Sequence, residues 1–227
     1  MKTNQQSTRL PSKPAEDRGQ TIHSKQFLLS IVYCLLFSAY SFAQFTNLWT
    51  QTSNPSAAGD EARAITADAS GIYVAGWEAI GVTRWRIEKR DLTTGALIAA
   101  FGTAGVVTSN PSAGIDIAYA ITADASGIYV AGADASGTGQ WRIEKRDLTT
   151  GALIAAFGTA GVVTSNPSAG IDIPYAITVD ATGIYVAGVD GNGSDQWRIE
   201  KRDLTTDALI AGFGTAGAVT NNPSAGT

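Results

Sequence analysis

Residues 85–94 read Trp-Arg-Ile-Glu-Lys-Arg-Asp-Leu-Thr-Thr, and the same ten residues return at 141–150 and 197–206, a spacing of 56. The string Gly-Ile-Tyr-Val-Ala-Gly keeps this spacing, with starts at 71, 127 and 183. Self-similarity at a fixed period is typical of repeat architectures. The sequence therefore predicts a repeat domain over residues 44–227, with repeats at about 54–109, 110–165 and 166–221.

Each repeat has the pattern of short antiparallel strands. Residues 72–76 form a short apolar run, as expected of a strand covered on both faces, and residues 85–91 alternate in character. Asp-Ala-Ser-Gly at 68–71 and Leu-Thr-Thr-Gly at 92–95 are typical turn sequences. Repeats that share one orientation in a meander need an even number of strands. We therefore expect four, with either 96–101 or 105–109 as the last one.

Four short strands per repeat, with recurring glycine and aromatic positions and no helical period, favour the blades of a β-propeller. The fold class predicted is all-β, as tandem four-stranded antiparallel blades of an incomplete β-propeller. Tyr73, Trp85 and Phe101 recur in every repeat, so we interpret them as packing residues between blades.

Closed propellers have about four to eight blades, which is more than three repeats supply. We expect the chain to be a truncated piece of a longer repeat array. Two alternatives are copies of the chain that associate to complete a ring, and a β-prism with one sheet per repeat.

The repeats resemble the bacterial delta-60 repeat. The resemblance rests on Ile-Tyr-Val-Ala-Gly at 72–76, Ile-Glu-Lys-Arg-Asp at 87–91 and the glycine and aromatic positions from 95 to 107, and it covers all three repeats. One departure is Asp207, which replaces the turn glycine found at Gly151. The resemblance implies a secreted protein with propeller-type blades, and it implies no reaction, because no catalytic residues are assigned to that family.

The composition after residue 43 excludes several kinds of site. The one cysteine, Cys34, and the one histidine, His23, both precede residue 44. This excludes thiol nucleophiles, histidine acid/base chemistry and Cys/His zinc sites from the repeats. The first 43 residues hold five of the 16 basic and two of the 20 acidic residues. The acidic remainder makes nucleic acid an unexpected partner.

The N-terminal 43 residues are predicted to be an export signal. Lys25 precedes an apolar run over 27–37, and Ser41 and Ala43 supply the small residues of a cleavage site after Ala43. The alternative is a membrane anchor, but residues 27–43 are at the short limit for a span. We expect a secreted, cell-surface or periplasmic protein with no stable membrane span after cleavage.

Differences between the repeats concentrate in two windows. Of the ten mismatches between the first two repeats, four fall at 58–63 and six at 77–84. Both windows are predicted connections on one edge of the blades, the usual place for binding on a rigid scaffold, although surface loops also drift without selection. The candidate ligand-binding residues at this edge are Trp77, Glu78, Arg84, Asp134, Asp190 and Asp195. The predicted partner is a protein or a glycan.

The acidic residues do not predict catalysis. Glu88 and its copies Glu144 and Glu200 each have arginines two positions away on both sides, so we expect them to pair across strands. A catalytic carboxylate is expected in a single copy, and no pair of carboxylates is placed by the sequence as glycosidase chemistry requires. We therefore predict a non-catalytic binding module. The alternative is a carbohydrate-acting or calcium-assisted surface enzyme whose decisive residues lie in further blades.

Two weak cation sites remain in the sequence. Asp190, Asn192 and Asp195 resemble the front of a calcium loop, but Lys201 stands where an EF-hand needs glutamate. A glycine-rich turn without a cofactor is the preferred interpretation. One acid per repeat, at Glu78 and its counterparts, would form a weak cation site or a contact for a polar ligand if these acids ringed a mouth.

Overall fold

The computed structural model describes residues 50–223, so the predicted export signal at 1–43 lies outside the described residues. These residues form three four-stranded antiparallel sheets and contain no helix that could cross a membrane. The first sheet comprises β1 (Asp60–Asp68), β2 (Gly71–Ile80), β3 (Val82–Arg90) and β4 (Val106–Ser109). The second comprises β5 (Ile117–Asp124), β6 (Gly127–Asp134), β7 (Gln140–Arg146) and β8 (Val162–Ser165). The third comprises β9 (Ile173–Asp180), β10 (Gly183–Asp190), β11 (Gln196–Arg202) and β12 (Ala218–Asn221).

Each sheet is a meander in which strands adjacent in sequence pair in space. The all-β class and the four strands per repeat are confirmed. The last strand is Val106–Ser109, which pairs with β3 from Glu88 to Trp85. The competing segment 96–101 makes only an isolated bridge between Leu97 and Arg90.

The two predicted tight turns are closed by aspartate side chains. Asp68 Oδ1 accepts the backbone N–H of Ser70 at 2.7 Å and that of Gly71 at 3.1 Å. Asp91 Oδ1 accepts the N–H groups of Thr93 and Thr94 at 3.0 and 2.8 Å. Aspartate is favoured in turns because its side chain can hydrogen-bond the backbone two residues further on.

Neighbouring sheets pack through two different faces, which we name by their residues. The tryptophan face of the first sheet carries Tyr73, Trp85 and Ile87, all fully buried. It packs on the receiving face of the second sheet, which carries Ile121 and Val130. The second sheet repeats this arrangement against the third. Tyr73, Trp85 and Phe101 therefore pack between sheets, as expected from their recurrence.

Gly132 shows how closely the faces approach each other. A Cβ at Gly132 would overlap the carbonyl oxygen of Ile117 on the adjacent strand and would lie 2.6 Å from the ring of Trp85. The Trp85 ring thus sits directly on the glycine, and its Nε1 donates to the carbonyl oxygen of Ala133 at 3.0 Å. Glycine is required here because no larger residue leaves room for the ring.

Candidate functional site

The predicted site residues lie at one edge of the sheets, where the second strand of each sheet ends and the third begins. β2 ends at Ile80, β6 at Asp134 and β10 at Asp190. Because the three sheets share one meander topology, the candidate residues lie at the same edge of each sheet, and Glu78, Asp134 and Asp190 occupy equivalent positions.

The prediction that 77–84 is a connecting loop was wrong for the first sheet. β2 and β3 continue as a paired hairpin to Ile80 and Val82, with only Gly81, at φ 79°, between them. In the second and third sheets the strands stop earlier, and loops of five residues, 135–139 and 191–195, connect them. The β-branched residues of the first hairpin favour strand pairing, whereas each of the two loops contains two glycines.

In the first sheet, Glu78 is the centre of an ion-pair cluster. Its side chain is 1% exposed and accepts from Arg84 Nε and Arg86 Nη1, each at 2.7 Å. Trp77, half-buried, donates from Nε1 to Glu61 Oε2 at 3.3 Å, and Glu61 pairs with Arg63 at 2.8 Å. The structure therefore brings two of the predicted site residues, Glu78 and Arg84, into contact. Trp77 instead hydrogen-bonds Glu61, which was not among the predicted site residues.

The equivalent acids of the other two sheets also point inward. Asp134 accepts the N–H of Ser136 at 2.9 Å and lies 3.7 Å from Arg142. Asp190 accepts the N–H of Asn192 at 3.1 Å and lies 3.6 Å from Arg198. Both aspartates are 3% exposed. A ring of solvent-facing acids, expected if these residues bound a cation, is therefore not formed.

The three residues of the predicted calcium loop do not point to one place. Asp190 is buried and faces its arginine, whereas Asn192 and Asp195 are exposed. Asp195 borders an open apolar recess with Tyr175 and Trp197. Within residues 50–223, no three His, Cys, Asp or Glu side chains are grouped so that they could hold a metal ion.

The recurring glutamates pair along their own strand, which corrects the expectation of cross-strand pairs. Glu144, fully buried, accepts from Arg142 Nε at 2.8 Å and pairs with Arg146 at 2.6 Å, and both arginines are on β7. Its remaining contact crosses between sheets, from Ser109 Oγ at 2.7 Å. Side chains two residues apart share a strand face, so the alternation itself brings these charges together.

The same arrangement keeps the copy in the first sheet ionised. Burial disfavours the charged form of Glu88, but hydrogen bonds and charges from Arg86 and Arg90 outweigh it, and the pKa of Glu88 lies below its usual range. These recurring carboxylates are therefore structural ion pairs held by their neighbours.

Sequence reasoning missed the buried aspartates that tie together the two variable windows. Asp116 is fully buried and accepts from Ser112 Oγ at 2.7 Å and from the N–H of Ala135 at 2.9 Å. Asp172 makes the equivalent bond to the N–H of Gly191 at 3.0 Å. In each of the three repeats this aspartate lies six residues after the Asn that starts the Asn-Pro-Ser-Ala string, and that recurrence was the available signal.

Asp207 is a buried acid at a position that suits glycine. It has a positive φ of 67°, close to the 69° and 70° of Gly95 and Gly151 at the equivalent turns. Its Oδ2 lies 3.1 Å from Arg202, but its Oδ1 is buried without a hydrogen-bond partner. Burial, together with the charges of Glu200 and Asp203, outweighs Arg202 and raises the pKa of Asp207 to about 7.

We expect Asp207→Gly to raise the free energy of unfolding by about 1–3 kcal/mol at pH 8, because it removes a buried carboxylate that has one unsatisfied oxygen and relieves a strained backbone. Since the folded pKa of Asp207 is raised, its protonated form stabilises the fold, and this stability is lost as pH rises from about 4 to about 7. The gain from the substitution should therefore grow over this range and then level off. Urea unfolding at pH 5 and pH 8 measures it.

The control is Asp195→Gly, which removes an exposed aspartate of the same sheet and should change stability by less than about 0.5 kcal/mol at both pH values. A gain for Asp207→Gly that is equal at pH 5 and pH 8 would contradict the titration of Asp207 over this range.

Comparison with protein-family models, with curated proteins and with solved structures found no match for this chain.

Proposed function

We propose that this protein is an exported, non-catalytic binding module whose sheets are β-propeller blades and which binds a protein or a glycan at the variable edge. We define the variable edge as residues 77–84, 133–140 and 189–196. The observation that supports this most directly is the placement of the differences. All ten positions that distinguish the first two repeats lie in the two windows that Asp116 and its counterparts tie together.

The variable edge presents chemistry suited to a ligand of mixed polarity. The hairpin tip of the first sheet exposes Ile80 and Val82, at 47% and 40%. The loops of the other two sheets expose polar groups, including Asn192 and Asp195. Apolar side chains beside amide and carboxylate groups are typical of surfaces that contact proteins or sugars, and loops on a rigid frame are common binding sites.

We propose a non-catalytic protein because most of its buried carboxylates are paired with arginines. The buried acids at the variable edge and along the third strands are paired with arginines at 2.6–3.7 Å. A general acid or base must reach the proton that it transfers, so an acid buried against arginine is poorly placed for that role.

The test exchanges the hairpin of the first sheet for the loop of the second. The protein is screened against glycan and secreted-protein panels, and then 77–84 is replaced by the sequence of 133–140. Because all positions from 64 to 76 and from 85 to 109 are the same in the two repeats, we expect the fold to be retained. Binding should fall at least about tenfold, the effect of losing one good contact region.

The matched control is Ser70→Thr, at a tight turn on the opposite edge, where the third repeat already has Thr182. It should leave binding unchanged. Equal binding by the exchanged and unmodified proteins, or turnover of a bound glycan, would overturn the proposal.

A further inference from the structure

Each end face of the three-sheet array exposes a large apolar side chain whose counterpart inside the array is buried. On the third sheet, Trp197 is 67% exposed, whereas Trp85 and Trp141 at the same position are fully buried. On the first sheet, Ile65 is 68% exposed, whereas its counterpart Ile121 is 6% exposed. The tryptophan face of the third sheet and the receiving face of the first sheet are therefore not covered in the way that their internal counterparts are.

The residues on these two end faces are the same as those that pack against each other at the two internal junctions between sheets. The tryptophan face has the same five side chains in every sheet, which in the third are Tyr185, Trp197, Ile199, Lys201 and Phe213. The receiving face likewise keeps five identical residues, which in the first sheet are Ile65, Ile72, Val74, Gly76 and Leu92. The open ends are thus a matching pair of surfaces.

The donors and acceptors of the hydrogen bonds that cross the internal junctions also recur on the two end faces. Trp141 Nε1 donates to the carbonyl oxygen of Val189 at 3.0 Å, and Lys145 Nζ donates to that of Leu204 at 2.9 Å. The first junction has the same lysine bond, from Lys89 to Leu148 at 2.7 Å. The equivalent acceptors on the first sheet are the backbone carbonyls of Trp77 and Leu92, and these bonds use no variable side chain.

The first sheet has a recess at the position where Trp197 of a second copy would pack. At the internal junction the Trp85 ring rests on Gly132. Its counterpart Gly76 lies in an open recess that is also lined by Ala62, Val74 and Trp77. Ser53, Pro55 and the charged Glu88 also line this recess. In the proposed docking, Trp197 of an incoming copy would lie over Gly76 as Trp85 lies over Gly132.

We propose that a second copy of this chain docks head to tail, with the tryptophan face of its third sheet on the receiving face of the first sheet. Two copies joined at both ends place six sheets in one ring, within the range of about four to eight that closed propellers use. The contact is heterologous, so it needs the two different faces and closes only if the rotation between sheets permits. This inference concerns the end faces and does not depend on ligand binding at the variable edge.

One side-chain pair favours a copy of this chain as the occupant. Tyr119 packs edge-on against Tyr175 at 5.4 Å on one side and under the Arg63 guanidinium at 5.5 Å on the other. The row of three side chains thus begins with Arg63 on the first sheet and ends with Tyr175 on the third, which is 54% exposed. Head-to-tail docking brings Tyr175 of one copy next to Arg63 of the other, an arrangement that a cation–π contact stabilises.

The segment 51–53 must leave for this docking to occur. Ser53 Oγ donates to Glu88 at 3.2 Å, as Ser109 does to Glu144 across the first junction. This segment therefore occupies the place that the end of β12 from an incoming copy would take. Its residues are exposed. An incoming copy would have to replace the bond from Ser53 and the bond from Gln51 Nε2 to the carbonyl oxygen of Thr94 at 3.3 Å.

The test uses two full-length variants, each with one blocked face, and measures mass by light scattering over a range of concentrations. Trp197→Arg blocks the tryptophan face, and Ile65→Arg blocks the receiving face. Both side chains are about two-thirds exposed, so we expect both variants to fold. The unmodified chain should associate, and each variant alone should associate at least about tenfold more weakly. An equimolar mixture should regain a two-chain species, because one intact junction is restored.

Ile115→Ala is the control, since this isoleucine is 64% exposed but belongs to neither end face, and it should associate normally. A single-chain mass for the unmodified protein at every concentration would overturn the proposal. So would association that survives both arginine substitutions, or a mixture that behaves like its two components.

Discussion

Trp141→Ala is expected to lower the free energy of unfolding by about 3–5 kcal/mol. Trp141 is fully buried between the second and third sheets, and its ring packs in the cluster that contains Phe157 and Val186. The substitution removes this apolar burial, opens a cavity and leaves the carbonyl oxygen of Val189 without its donor. A cost of this size is a large part of the total stability of an ordinary domain.

Urea unfolding followed by circular dichroism measures the loss, and Trp197→Ala is the matched control. Trp197 has the same neighbours in sequence but is 67% exposed. At concentrations where light scattering gives the mass of one chain, its replacement should cost less than about 1 kcal/mol. Equal losses for the two variants would show that Trp197 is buried in the single chain.

Glu144→Gln is the second large effect, with an expected loss of about 3–5 kcal/mol. The Glu144 carboxylate is fully buried and compensates Arg142 and Arg146, whose side chains are 15% and 7% exposed. A neutral amide keeps the size of the side chain but leaves the Arg146 guanidinium without its counter-charge and Arg142 with only Asp134, 3.7 Å away. Removing one partner of a buried ion pair is costly because the remaining charge stays desolvated.

The comparison for this prediction is Glu61→Gln. The Glu61–Arg63 pair is 2.8 Å apart, but its side chains are 46% and 36% exposed, so solvent screens the interaction. We expect a cost of at most about 1 kcal/mol in the same unfolding measurement. A loss for Glu144→Gln no larger than that for Glu61→Gln would mean that the buried row of charges contributes little to stability.

Local patterns were sufficient to predict four strands per repeat and the two tight turns, but not the extension of β2 and β3 through 77–84. The alternation at 85–91 and the Asp-to-Gly turn at 68–71 act over a few residues, and such preferences can be read directly from the sequence. The choice between 96–101 and 105–109 was different. Both segments are short and apolar, and only pairing with Ile87 and Glu88 on β3 identifies Val106–Ser109 as the strand.

The sequence predicted which edge of the sheets carries the candidate residues, but not what those residues contact. Sequence differences located the variable edge, because substitutions there are not constrained by the packing between sheets. They could not show that Glu78 points inward to Arg84 and Arg86, because that depends on the register of β2 and β3. The link from Asp116 to the backbone of Ala135 joins residues 19 positions apart, and only the folded sheet brings them together.

The sequence alone determined the period, the four-stranded repeat and the placement of Trp85 on one strand face and of the Arg86, Glu88 and Arg90 charges on the other. These properties follow from the chemistry of neighbouring residues and from the two-residue alternation of a strand. Only the tertiary structure decided which copy of a repeated residue is buried. Residues 85–94 and 197–206 are identical, yet Trp85 is fully buried and Trp197 is 67% exposed. The difference arises because burial depends on whether another sheet lies against that face, and local sequence does not contain this information.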